Sequence, residues 1–209
     1  MCLIMFNRDK NKIIPNNWFD NAIQLNYDGV GIFYTENGRV KIEKELDIDK
    51  AKILFNKINN LNKTEVGAIH LRYGTAGRND LLNCHPFIIT SKNSNDKIDI
   101  VMCHNGVLRG MGEDRYFNCS DTRAFVLDYL KPILKQDNYL IYNLAFQKIM
   151  ARFIGKNNKL LFITSDKKVI IINENQGQYR KGIWLSSPEY IYSNNCYLEQ
   201  YFTSKYFRG

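Results

Sequence analysis

The second residue of the chain is a cysteine, and three polar clusters follow it at a distance. One is His70-Leu71-Arg72-Tyr73-Gly74-Thr75-Ala76-Gly77 with Asn83-Cys84-His85-Pro86, one is His104-Asn105-Gly106, and one is Ser120-Asp121-Thr122. If Met1 is removed, as a small second side chain permits, Cys2 carries both a thiol and a free α-amine. The amine has an ordinary pKa of about 7.7–8.0 and can act as a base near neutral pH. A thiol of pKa about 8.5 is a strong side-chain nucleophile, and a neighbouring base improves it. No histidine partner is then required. The other clusters suit a small amino-acid substrate. Arg72 can grip a carboxylate with two hydrogen bonds, and Asp121 can hold an ammonium group. Asn105 brings a side-chain amide and Gly106 a backbone N–H, the two donor types of an oxyanion hole. Thiol, carboxylate clamp, ammonium clamp and oxyanion hole together describe hydrolysis of a side-chain amide such as that of glutamine.

Each piece also has a plain structural reading. A cysteine before an apolar run starts a buried strand, and Arg72 can pair with a structural acid. His70 sits on an apolar strand and reads as a core histidine. Asn105-Gly106 can be a turn, Asp121 a helix cap, and His85 before Pro86 a loop-shaping residue. It is the combination that points to chemistry.

The elements that must position these residues are legible in outline. Residues 2–6 read as a short buried strand. Ile14-Pro15-Asn16-Asn17 opens a helix capped by Asn16, with Trp18, Phe19, Ala22, Ile23 and Leu25 on its apolar side. Tyr27-Asp28-Gly29 is a turn, and Gly29–Tyr34 is a strand. Asn37-Gly38 signals a hairpin to Val40–Glu43. Asp49 caps a helix to about Asn60, with Ala51, Ile53, Leu54 and Ile58 inward. Val66–Arg72 is a buried strand entering the glycine-rich stretch. Pro86–Thr90 and Ile98–Cys103 are strands, separated by a polar turn over Asn93–Lys97, and His104-Asn105-Gly106 follows the second at once. Ser120 or Asp121 caps a helix to about Leu134, and Tyr139–Ile154 is a second helix. Leu160–Thr164 and Val169–Asn173 form a hairpin around Asp166-Lys167, and Tyr179–Ser186 is a further strand. The tail after Pro188 is aromatic and polar, without a pattern. This order is not the regular alternation of a doubly wound fold. It predicts an α+β protein: two mostly antiparallel sheets covered by helices, in a single domain over 1–209.

Composition limits the rest. A chain of 209 residues can bury a sizeable core. Its 44% hydrophobic and 24% charged residues are ordinary for a globular protein. No apolar run approaches the roughly 18 residues of a membrane span. Six residues precede Asn7-Arg8-Asp9-Lys10, too few for a signal-peptide core, so the expected location is the cytoplasm. The five cysteines, Cys2, Cys84, Cys103, Cys119 and Cys196, are an odd count and are expected as free thiols. Cys84-His85 and Cys103-His104 lack any C-x-x-C companion, so no metal and no cofactor is expected. A net charge of +8 permits contact with acidic partners. The lysines, however, are dispersed in a Lys/Asn/Ile-rich background, and no nucleic-acid-binding signature is present. Nucleic acid is therefore not an expected partner.

Taken together, Cys2, His70-Leu71-Arg72-x-x-Thr75-x-Gly77, Asn83-x-His85-Pro86, His104-Asn105-Gly106 and Ser120-Asp121-Thr122 resemble the class II glutamine amidotransferase domains, a branch of the N-terminal nucleophile hydrolases. The likeness covers residues 2 to about 130 and is strongest to small stand-alone members from phage and bacterial genomes. It implies a four-layer αββα sandwich. It implies Cys2 as nucleophile and, through its α-amine, base, with Asn105 and Gly106 as oxyanion hole. Arg72 would bind the substrate carboxylate and Asp121 its amino group, while Tyr73, Thr75, Gly77 and His85 would contribute to the pocket. It further implies glutamine or a related amide, including γ-glutamyl conjugates, as substrate, and a separate ammonia-acceptor protein as partner. Leu3 stands where many members carry glycine. Arg123 stands where an acidic residue is common, which adds positive charge at the pocket mouth. The alternative is a non-catalytic module on the same scaffold that binds a small ligand or acts as an inhibitor, with a net charge that could place it on nucleic acid.

Overall fold

The computed structural model describes residues 2–9, 12–61, 63–111 and 118–192, with the backbone alone at Tyr190. Met1, Cys196 and the aromatic tail from residue 193 lie outside the described residues. Among the described residues, ten strands form two sheets. The larger contains β1 (Leu3–Asn7), β2 (Val30–Glu36), β3 (Arg39–Glu45), β4 (Gly67–Leu71), β9 (Gln178–Arg180) and β10 (Ile183–Leu185), in the order β3-β2-β4-β1-β10-β9. The smaller contains β5 (Phe87–Thr90), β6 (Ile100–Asn105), β7 (Lys159–Thr164) and β8 (Val169–Ile172), in that order. Every pairing is antiparallel.

Alternation along the strands builds the layers, because successive side chains leave a strand on opposite faces. In β1, Leu3 and Met5 join a cluster with Trp18, Phe19 and Ala22 of α1 (Asn16–Ile23) and Phe55 and Ile58 of α2 (Ile48–Leu61). Ile4 and Phe6 point the other way. There they meet Val101, Cys103, Leu161 and Ile163 of the smaller sheet, together with Trp184. The opposite face of that sheet, with Met102, Leu160 and Phe162, packs on Phe125, Leu134 and Met150 from the helices after residue 120. Three apolar interfaces separate four layers, so the chain is the expected αββα sandwich. Each fully buried Leu, Ile or Phe contributes roughly 1.5–3 kcal/mol by leaving water.

The helical half departs from expectation in instructive ways. Pro15, not Asn16, occupies the α1 cap position, and Asn16 is the first helical residue. Asp47 caps α2, accepting from the N–H groups of Asp49 and Lys50 at 2.8 and 3.3 Å. Ile53, expected inward, is 65% exposed. The inward stripe runs Ala51, Phe55, Ile58, and Ile53 lies about half a turn away from it. Asp121–Gln136 runs as α3 (Asp121–Phe125), a π-helical turn (Val126–Leu130) and α4 (Lys131–Gln136). The expected helix Tyr139–Ile154 divides at Asn143, whose side chain accepts from the N–H groups of Ala145 and Phe146. The result is a 3-10 segment (Asn138–Tyr142) followed by α5 (Leu144–Ile154). The expected strand Tyr179–Ser186 is a hairpin, because Lys181 and Gly182 both adopt positive φ and turn β9 into β10.

Candidate active site

The register of the central strands brings the start of the chain to the first polar cluster. β1 and β4 run antiparallel with Leu3 opposite Leu71. One further step sets Cys2 opposite Arg72. The backbone N–H of Tyr73 lies 3.5 Å from Cys2 Sγ, and the thiol faces the Tyr73 carbonyl at 3.6 Å. On the other side, β2 is preceded by Gly29, whose carbonyl accepts from the Arg72 N–H at 2.8 Å. Arg72 is thereby clamped between two strands, and its side chain is buried.

The Arg72 guanidinium donates to three neutral oxygens: Asn79 Oδ1 at 2.9 Å, the Ala76 carbonyl at 3.1 Å and the Arg78 carbonyl at 3.3 Å. Asn79 in turn donates to Asp28 at 3.3 Å, so this carboxylate is reached through an amide. The direct partners of this buried guanidinium are thus neutral, with the Asp28 carboxylate one amide away.

Asp121 opens α3. One of its oxygens accepts from the Leu108 N–H at 2.7 Å, the other from its neighbour Thr122 at 2.6 Å. It thus ties the loop after β6 to the helix, while Ser120 acts as the helix cap by accepting from the Arg123 N–H at 3.2 Å. Gly106 adopts φ 141°, and a Cβ there would lie 2.0 Å from Asn158 Oδ1. Only glycine lets β6 end against that side chain.

Asn105 is the last residue of β6 and points between the sheets, as Val101 and Cys103 do. Its amide nitrogen donates to the Cys2 carbonyl and to the hydroxyls of Ser186 and Ser187 at 2.8 and 2.9 Å. Ser186 also accepts from the Ile4 N–H at 2.8 Å, so β1, β6 and β10 meet at one polar knot.

All three histidines are buried beside this knot. His70 faces the inter-sheet layer, and its Nε2 donates to the His104 carbonyl at 3.1 Å. His104 lies between Thr122 Oγ1 and Asn158 Oδ1, each at 2.8 Å. The His85 ring lies tilted against that of His70, with centroids 4.0 Å apart and planes at 40°. Burial lowers all three: His70 to about 3, His85 well below the ordinary value, and His104 against the opposing pull of Asp121 and the Asn158 hydrogen bond. Burial likewise pushes the Cys2 thiol up, against the opposing pull of the Tyr73 N–H, and pushes Cys84 to about 11.

The cleft is walled by Cys2, Arg72, Tyr73, Thr75, His85, Gly106 and Asp121, with Gly74, Ala76, His104, Ser120 and Thr122. Seven of the nine residues singled out in the sequence therefore share one wall. Asn105 lies behind it, on the Cys2 carbonyl. Gly77 is outside it: at φ 74°, with a Cβ position 2.5 Å from the Ser120 nitrogen, it lets the 73–83 loop pack on the start of α3. The enclosed space is about 20 Å³, the room of about one water. A groove of about 590 Å³ adjoins it at Gly106, lined also by Arg109, Phe153 and Lys156. Sequence reasoning missed Asn79, Asn158, Ser186 and Ser187. The one available signal was the polar Ser-Ser pair at the end of a predicted strand.

No family model matches the sequence. An uncharacterized protein of Methanocaldococcus jannaschii is 29% identical over 136 residues, covering 61% of this chain and 36% of that one. Among solved structures, the allosteric regulatory enzyme of purine biosynthesis is 17% identical with a TM-score of 0.49, covering 88% of this chain and 41% of that one. The glutamine phosphoribosylpyrophosphate amidotransferase of B. subtilis, complexed with ADP and GMP, is 14% identical with a TM-score of 0.48 and the same coverages, 88% and 41%. A glutamine aminotransferase class-II domain protein of Silicibacter pomeroyi is 13% identical with a TM-score of 0.36, over 78% of this chain and 72% of that one. The chain spans about a third of the length of the curated relative, 36%, and about two fifths, 41%, of the first two structures.

Proposed function

We propose that this chain is an N-terminal cysteine amidohydrolase of the class II glutamine amidotransferase type. The observation that carries the reading is the shared wall of Cys2, Arg72, Gly106 and Asp121, residues that are far apart in sequence. After removal of Met1, the α-amine of Cys2 takes the thiol proton, and the thiolate attacks the side-chain amide carbon. Arg72 holds the α-carboxylate and Asp121 the α-ammonium, with Tyr73, Thr75 and His85 against the substrate. Gly106 and Asn105 steady the tetrahedral oxyanion. The Asn105 amide nitrogen is held by the Cys2 carbonyl and two serine hydroxyls, and its two N–H bonds are fixed in one plane, so the carboxamide swings as a unit to reach the oxyanion. Collapse expels ammonia, protonated by the amine, and leaves a thioester. Water, activated by the same amine, releases the acid. Ammonia passes to a separate acceptor protein or to solvent. Because the cleft encloses about 20 Å³, an amino-acid ligand must part its lining loops.

The adjoining groove favours a second form of the reading, in which the amide nitrogen carries a substituent, as in a γ-glutamyl conjugate. Ammonia release from glutamine, compared between wild type and Cys2→Ala and paired with intact-mass measurement, tests the proposal. Loss of Met1, turnover by the wild type and none by the variant are expected. Retained Met1 with no turnover on glutamine or a γ-glutamyl amide leaves the ligand-holding module.

A further inference from the structure

Neither adjacent Cys-His pair in the sequence forms a ligand set. Cys84 turns its thiol to the His85 carbonyl at 3.5 Å, and Cys103 is buried between the sheets. The tertiary structure makes a different combination. Cys2 before β1, His70 on β4 and His85 before β5 are all buried, and one ligand atom from each lies within 4.8 Å of the others. Three nitrogens here have no hydrogen-bond partner among the described residues: Nδ1 of His70 and both ring nitrogens of His85. A buried imidazole nitrogen without a partner is costly and calls for an occupant. At His70 the state of the ring is set by the fold. Nε2 donates its proton to the His104 carbonyl, leaving a bare lone pair on Nδ1. A carbonyl behind the far nitrogen is the usual support of a metal-bound histidine.

We propose that Cys2, His70 and His85 bind a zinc-class divalent cation, and that the bound ion occupies the nucleophile. One thiolate and two neutral imidazoles favour zinc or copper over magnesium or calcium. Tetrahedral zinc with bonds of about 2.3 Å to sulfur and 2.0–2.1 Å to nitrogen spaces its ligands about 3.3–3.6 Å apart. From separations of up to 4.8 Å, the trio therefore closes by up to about 1.2–1.5 Å around the ion. The fourth position takes water or, after loss of Met1, the Cys2 α-amine, which closes a chelate with its own thiolate. Binding forms the metal–sulfur bond and breaks S–H, passing the proton to buffer, with no change of oxidation state. Metal and substrate then exclude each other at Cys2. That last consequence rests on the hydrolase reading; the ion site itself does not.

The test titrates reduced, metal-free protein with Co2+ and then Zn2+, followed by absorption spectroscopy. One Co2+ per chain is expected, with a thiolate-to-metal charge-transfer band and tetrahedral d–d bands, all removed by equimolar Zn2+. His85→Gln and His70→Gln, checked for folding by circular dichroism, should weaken binding at least tenfold. Cys2→Ala should abolish the charge-transfer band. Cys119→Ser should change nothing, and Arg72→Lys should bind Co2+ fully. X-ray absorption of zinc-loaded wild type should show one sulfur and two imidazole nitrogens, and needs no variant. Absence of one-to-one binding, a shell without sulfur or imidazole, or undiminished affinity in a folded His85→Gln protein would overturn the site. Metal binding by a protein whose metal-free form turns over neither glutamine nor a γ-glutamyl amide would sink the hydrolase alone, and turnover by a protein that binds no metal would sink the ion site alone.

Discussion

The side-chain amide of Asn105 donates to the main-chain carbonyl of Cys2, joining the end of β6 to the residue that precedes β1. The same nitrogen reaches Ser186 and Ser187, so one amide holds three segments in place. Asn105→Ala should lower kcat for amide hydrolysis on the order of 100- to 1000-fold, the loss typical of one oxyanion donor. Ser187→Ala, which leaves the Cys2 contact intact, should cost far less. Steady-state kinetics on both proteins checks the ranking, and equal losses would move Asn105 to a purely structural role.

Arg72 donates along two directions from one guanidinium, with Nη1 on Asn79 and Nη2 on two carbonyls. A lysine there keeps the charge and loses the fork. Arg72→Lys should raise KM for glutamine about 10- to 100-fold with a smaller change in kcat, as expected for a charged hydrogen bond of about 1.5–3 kcal/mol made in ground and transition state alike. A variant with unchanged KM would remove Arg72 from substrate binding.

Gly31 of β2 has no room for a side chain. A Cβ there would lie 1.9 Å from the His85 carbonyl oxygen and 2.8 Å from Pro86. Gly31→Ala should destabilise the protein by at least about 1–3 kcal/mol, the usual cost of overpacking, and should displace His85 from the cleft. Urea unfolding measures the first, and Co2+ affinity the second. A fully stable Gly31→Ala protein would mean that the 85–86 segment has slack.

Asp99 stitches the two sheets together. It takes Arg39 through both carboxylate oxygens at 2.7 and 3.1 Å, and accepts from the N–H groups of Val40 and Lys92 at 2.9 and 2.7 Å. Burial alone would raise its pKa, but the Arg39 pair and the backbone donors prevail and hold it below its ordinary 3.8. A carboxylate depressed in the fold contributes stability that is present above the unfolded value and lost as pH falls through the folded one. Asp99→Asn should therefore cost about 1–3 kcal/mol near neutrality. The difference in Tm from wild type should shrink as the pH drops below 3.8. A gap that stays constant down to low pH would show that the Asp99 charge is not what stabilises the sheet contact.

Local chemistry explains what was legible in the chain. Asn37-Gly38 and Lys167 take the positive φ values of hairpin turns, and those turns stand where expected. Ser120 caps its helix through the hydroxyl that the Ser-Asp-Thr run advertises. The failures share a cause. Lys181 adopts φ 50° without belonging to the usual turn residues, so β9 and β10 merged into one expected strand. Ile53 is as apolar as its neighbours, and only packing of α2 on the larger sheet decides that it faces water.

By itself the sequence determined which residues can do chemistry and on which face of its strand each stands, because residue type and two-residue alternation are local properties. It did not determine which of them meet. The antiparallel register of β1 on β4 sets Cys2 against Arg72, and the stacking of one sheet on the other carries His85 onto His70 and Asn105 onto Cys2. Those distances follow from strand order and sheet packing, which are summed over contacts all along the chain. No short motif encodes them, and so the Cys2–His70–His85 cluster was visible only in three dimensions.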